Sequence, residues 1–124
     1  MTLDYQNIGT SKSSPRILGR TQRFRSEVFT EEAADWLAST SGEFNLYEFD
    51  PEEVQAPALI TKFLGSGLTL LAIDGGFAAR VIISPSDQTT LEPAIYYWSI
   101  DLTSGNGVFE QISKGKFQFK QGGA

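Results

Sequence analysis

Carboxylates and arginines are the residues in this chain whose clustering raises a question of chemistry. The sequence has no histidine and no cysteine. That removes the commonest general base and metal ligand, every Ser-His arrangement, thiol nucleophiles, thiolate metal sites and disulfides. The carboxylates that stand out are Glu31-Glu32, Asp50-Glu52-Glu53 and the isolated Asp74 and Asp87. Two of them facing each other across a cleft could divide acid and base roles, as glycosidases do. Their settings, at a helix start and in loops, read instead as solvated charge. The stretch "DPEE" at residues 50–53 has oxygen atoms enough for a calcium ion, but not the ligand spacing of a calcium loop. "GSG" at Gly65–Gly67 and "GNG" at Gly105–Gly107 are too short to cradle a phosphate and precede strands, not helices. The expectation is a protein that is not an enzyme, with no catalytic residues, no cofactor and no metal.

Arg16, Arg20, Arg23 and Arg25 place a basic stripe within an otherwise acidic chain of net charge −5. The stripe could touch packaged DNA. The overall acidity argues against a surface built on phosphate neutralisation, and an acidic protein neighbour is the more economical partner. No apolar run approaches the ~18 residues of a membrane span, and residues 1–20 lack the apolar stretch of a signal peptide. The expectation is a soluble protein, made in a cytoplasm, with no membrane contact.

The elements that must position these groups divide the chain unequally. Residues 1–20, "MTLDYQNIGTSKSSPRILGR", have no apolar period and are crowded with Ser, Thr, Gly and Asn. Such a segment is either a frayed terminus or an arm that orders against a neighbouring subunit. In the second reading Tyr5, Ile8, Ile17 and Leu18 are its anchors, and Lys12, Arg16 and Arg20 meet an acidic partner. Removing such an arm should leave the rest of the chain folded.

From residue 21 to 124 the pattern is that of one all-β, mainly antiparallel domain with one short helix. At 124 residues the chain has room for a single core. "TQRFRSEVF" alternates, with Gln22, Phe24, Ser26 and Val28 on one side and its charges on the other. "TEEAADWLA" favours one or two helical turns capped by Thr30. "SGEFNLYEF" returns to strand, and "ALITKFLGSGLTLLAI" forms two strands broken at Gly65-Ser66-Gly67. Asp74-Gly75-Gly76 signals a hairpin, and "PSDQTTLEP" a connection with one helical turn. Tyr96, Trp98, Ile100 and Leu102 share one face of a strand, with Ile95, Tyr97, Ser99 and Asp101 on the other. Residues 103–107 turn it into a last strand through Phe109, Ile112, Phe117 and Phe119. Strands at this spacing with turns between them indicate a β-sandwich or barrel, and a single Ig-like β-sandwich is the expectation, its aromatics in the core.

About fifty residues, from "FAARVIIS" to "GKFQF", resemble a small β-sandwich of tailed-phage virion proteins, such as the N-terminal domain of siphophage upper baseplate proteins. The resemblance rests on Asp74-Gly75, Thr89-Thr90-Leu91-Glu92-Pro93, Tyr96 and Trp98, Gly105-Asn106, and Gly115-Lys116-Phe117. Ala94 departs from the pattern's Gly, and Trp98 from its second Tyr. It implies a structural, non-enzymatic protein of the virion, made in the cytoplasm of a host bacterium. Partners would be other virion proteins, the major capsid protein or tail components, with many copies or a homo-oligomer in the assembly. A basic arm joined to a compact domain suits a head decoration (cement) protein; a tail, neck or baseplate component is the alternative. A separate reading is a host-surface or carbohydrate-binding module using exposed Tyr5, Tyr47, Tyr97 or Trp36.

Overall fold

The computed structural model describes residues 6–8 and 16–121. The strands are β1 (Gln6–Ile8), β2 (Arg16–Ile17), β3 (Gln22–Arg25), β4 (Ser41–Tyr47), β5 (Ile60–Leu64), β6 (Gly67–Ile73), β7 (Gly76–Ile83), β8 (Ala94–Thr103) and β9 (Phe109–Lys120). One helix, α1 (Ala33–Leu37), and a 3-10 turn, Pro85–Gln88, complete the described elements. The chain is all-β with one short helix, as the alternation in its sequence demands.

The strands join in one sheet, ordered β1-β9-β8-β4-β5-β6-β7-β3, with β2 also paired to β9. Of the sandwich and the barrel that the strand spacing allows, the sandwich was expected; here a single sheet curls until its ends nearly meet. The reason is local. Between β5 and β6 the chain sidesteps at Gly65 and Gly67, whose φ values of 85° and 97° are left-handed. The strand resumes in the same direction one position over, pairing Phe63 with Gly67 and Leu64 with Leu68. This corner turns β6, β7 and β3 over the face of β4, β8 and β9. Phe24 of β3 then packs edge-on against Phe117 of β9, ring centroids 4.4 Å apart, and against Phe44 of β4 at 5.5 Å.

Period-two alternation fills the space between. Phe44 and Leu46, Tyr96, Trp98, Ile100 and Leu102, and Phe117 and Phe119 are all buried. In β9 the inward parity changes from Ile112 to Phe117. A register shift between Ile100 and Asp101 of β8 marks the bulge that changes it. Two turns follow their sequence signals. Asp74 and Gly75, with φ of 49° and 77°, make the β6–β7 hairpin. Ser84 and Asp87 form a reciprocal capping box around Pro85.

Helix α1 starts later than expected. Glu32, not Thr30, stands at its N-cap, with φ 52° and no side-chain cap. The helix is held from outside: Trp36 is buried and stacks on Phe77 at 6.4 Å. The backbone N–H of Gly105 donates to the carbonyl of Asp35, and that of Asn106 to its Oδ1, each at 3.0 Å.

Residues 16–20 close the seam between the sheet's ends. Leu18 N–H donates to the Lys120 carbonyl at 3.0 Å. Gln22 Nε2 donates to the carbonyls of Ile17 (2.6 Å) and Arg20 (3.1 Å). Arg16 Nη1 reaches the Arg23 carbonyl at 3.2 Å, while its guanidinium lies 5.4 Å from the Phe24 ring centroid and 5.3 Å from that of Phe117. A cation between two ring faces is attracted to both. Arg16 stitches the seam.

Candidate assembly interface

The outer face of the sheet is what the inward alternation leaves over. Across β5, β4, β8 and β9 the register sets Phe63, Glu43, Asp101 and Gln111 in one row. The neighbouring row holds Ser41, Thr103 and Phe109. Together Ser41, Gly42, Glu43, Phe63, Asp101, Thr103 and Phe109 line a pocket of about 230 Å³. Phe63 is 55% exposed and Phe109 70%, the two most exposed of the large apolar side chains among the described residues. Leaving two phenyl rings in water is unfavourable unless something covers them.

Glu43 and Asp101 are directly opposed on neighbouring strands, where like charges repel. Glu43 Oε1 accepts from Asn45 Nδ2 at 2.9 Å, and Asn45 Oδ1 accepts from Thr61 Oγ1 at 2.7 Å, so this carboxylate is held in place. Burial, with Glu43 adding to it, pushes the Asp101 carboxyl up to about 6. The pocket is thus an anionic pair flanked by two aromatic rings. At about 230 Å³ it is smaller than the ~300–1,000 Å³ of small-molecule sites, yet larger than the ~150 Å³ that admits a benzene ring. Such a place fits the ends of long cationic side chains. Two carboxylates take a guanidinium fork, and the rings take its flat faces.

The carboxylates that drew attention in the sequence do not converge. Asp87 forms an ion pair with Lys62 at 2.7 Å. Burial raises its carboxyl, but hydrogen bonds from Lys62 and Ser84 and the Lys62 charge outweigh this and set it below the ordinary value. Glu52 pairs with Lys114 at 2.7 Å, Asp50 Oδ1 accepts from the Glu52 N–H, and Asp74 sits in its hairpin turn. Glu31 and Glu32 border a separate small pocket with Trp36, Val108 and Glu110. Among the described residues no group of three or more acidic side chains is placed to hold a metal ion. No helix among them is long and apolar enough to cross a membrane.

The arm residues are dispersed. Tyr5 and Lys12 lie outside the described residues. Ile8 pairs in parallel register with Phe117, and Ile17 with Lys120. Leu18 packs against the core. Arg16 is turned into its own seam, and Arg20 is exposed. The carbonyl of Arg20 accepts from Gln88 Nε2 at 2.7 Å. For the carbohydrate reading, Trp36 (5% exposed) and Trp98 (1%) are core residues, which counts against a platform built on Trp36. Tyr47 and Tyr97 are paired across β4 and β8, both half-buried.

Glu43 was not among the site residues expected, and Asp101 figured only as an outward position of its strand. Each lies in an ordinary alternating stretch. Only the pairing of β4 with β8 makes them a site. No protein-family model matches the chain, and no curated protein matches its sequence.

Proposed function

We propose that the chain is a non-enzymatic structural protein that docks on its partners through the outer face of β4, β5, β8 and β9. The observation that carries this is the pairing of exposed Phe63 and Phe109 with two opposed carboxylates on a rigid sheet. Rigid scaffolds lose little entropy on docking, and exposed aromatics beside charge are the composition of interface hot spots. The resemblance to tailed-phage virion proteins supports a virion as the setting of that docking, and the nearly closed sheet is read as a variant of their sandwich. A head decoration (cement) protein comes first, and a tail, neck or baseplate component second. With residues 16–20 seated in the chain's own seam, the sheet face takes over much of the holding role first ascribed to the arm.

The test is occupancy on purified particles. Phe63→Ser with Phe109→Ser should leave the circular dichroism spectrum and melting temperature near those of the parent, since both side chains face solvent. Attachment should fall at least tenfold. Unchanged occupancy by this folded variant would overturn the reading.

A further inference from the structure

The molecule carries a second like-charge pair, of opposite sign, on its other side. Arg25 of β3 and Arg80 of β7 are directly opposed in register, and both are exposed. The next position across the sheet is Thr69 of β6, so among the described residues no carboxylate faces either guanidinium along the row; Glu27 lies two residues on from Arg25, on the same side of the strand. The neighbours of Arg25 in β3 and its continuation, Phe24 and Ser26, point into the core, as do Phe44 and Trp98 from the facing strands. Arg25 and Arg80 therefore point away from the molecule on the side opposite Glu43 and Asp101.

We propose that the chain self-associates head to tail, with Arg25 and Arg80 of one copy seated on Glu43 and Asp101, between Phe63 and Phe109, of the next. This rests on the docking reading above and names the partner. Both pairs are cross-strand neighbours, so the fold sets both at the same lateral spacing, ~4.5–5.5 Å between Cβ atoms. Each pair is unfavourable alone. Brought together, they make four alternating charges, and the arginine stems cover the two phenyl rings. Burial holds the Asp101 carboxyl up to about 6 in the isolated chain, an unfavourable ionisation that two guanidiniums would relieve. A nucleic-acid backbone is the poorer occupant of the arginine pair, because the net charge of −5 repels it. Two different patches on opposite sides give a heterologous contact, which closes into a ring or extends as a filament.

Sedimentation velocity on the full chain tests this. At low salt its average mass should rise with concentration up to about 1 mM, and fall back toward monomer in roughly 0.5 M salt. Arg25→Glu with Arg80→Glu keeps the acidic pocket and loses the basic pair; Glu43→Lys does the reverse. Each variant alone should be monomeric, and an equimolar mixture should form dimers and stop there, one intact contact per dimer. Circular dichroism reports whether either variant is folded; should one unfold, Phe63→Ser with Phe109→Ser removes the same contact without changing charge. A parent chain monomeric to about 1 mM, a mixture of folded variants that stays monomeric, or association unaffected by the phenylalanine changes would overturn the proposal. If the parent is monomeric while the phenylalanine variant still loses its place on particles, self-docking fails and the docking face stands with another partner.

Discussion

Asp101 shows how a residue of ordinary type acquires an unusual state from its surroundings. Its carboxyl is raised from 3.8 to about 6 by burial first and by Glu43 second. Across β9 the position opposite it is Gln111, which brings no compensating charge. A raised folded-state value means the folded chain binds a proton more readily than the unfolded chain. The stabilisation is complete below the ordinary value of 3.8 and is lost as pH rises through 6. Asp87, set below its ordinary value, acts oppositely and only as pH falls below about 4. Between pH 4 and 6 the Asp101 effect therefore stands apart from it. Melting curves of the isolated chain should show Asp101 contributing a fall in stability from pH 4.5 to pH 7. Asp101→Asn should flatten that fall and melt higher than the parent at pH 7. An Asp101→Asn profile parallel to the parent's would show that the carboxyl titrates normally.

At the scale of elements, the β3 edge and the residue 16–20 segment matter most. β3 is a short edge strand, and an uncovered edge is a liability for any sheet. Here the edge is covered by side chains rather than by a ladder: Arg16 donates to the Arg23 carbonyl of β3, Gln22 of β3 donates to the carbonyls of Ile17 and Arg20, and Leu18 packs against the core. Deleting residues 1–20 should therefore lower stability by on the order of 3 kcal/mol, summing a desolvated cation–π contact, a partly buried leucine and two hydrogen bonds. Arg16→Ala alone should account for about 1–2 kcal/mol of it. Denaturant titration measures both. A truncated chain with the parent's midpoint would return residues 16–20 to the status of a dispensable arm.

Which elements were legible follows from how local their signals are. Tyr96, Trp98, Ile100 and Leu102 announce an inward face by period two alone, and the structure buries all four. Asp74-Gly75 and Ser84-Pro85 carry their turn chemistry within a few residues, and both turns form. The sequence could not show which strand lies beside which. Glu43 meets Asp101, and Arg25 meets Arg80, only through long-range register. The same holds for Arg16, whose partners Phe24 and Phe117 come from opposite ends of the chain. Nor could it show that one glycine-flanked sidestep at Ser66 would join two expected sheets into one.

As a whole, the molecule is a small, well-packed body with its unfavourable features gathered on the outside. Phe63 and Phe109 stand with the Glu43–Asp101 pair on one outer face, and the Arg25–Arg80 pair stands on the opposite one. Natural monomers rarely keep such features uncovered, and the proposed association would cover all of them at once. The chain has no cysteine, so a single introduced thiol reports one place only. Gln111 lies exposed in the row of Phe63, Glu43 and Asp101, and Thr90 lies exposed elsewhere. The most direct measurement is the maleimide reaction rate of Gln111→Cys, with Thr90→Cys as the reference, in the isolated chain and in purified particles. Position 111 should react readily in the isolated chain and at least tenfold more slowly in the particle, relative to position 90. Equal slowing at the two positions, or none at position 111, would contradict docking through this face.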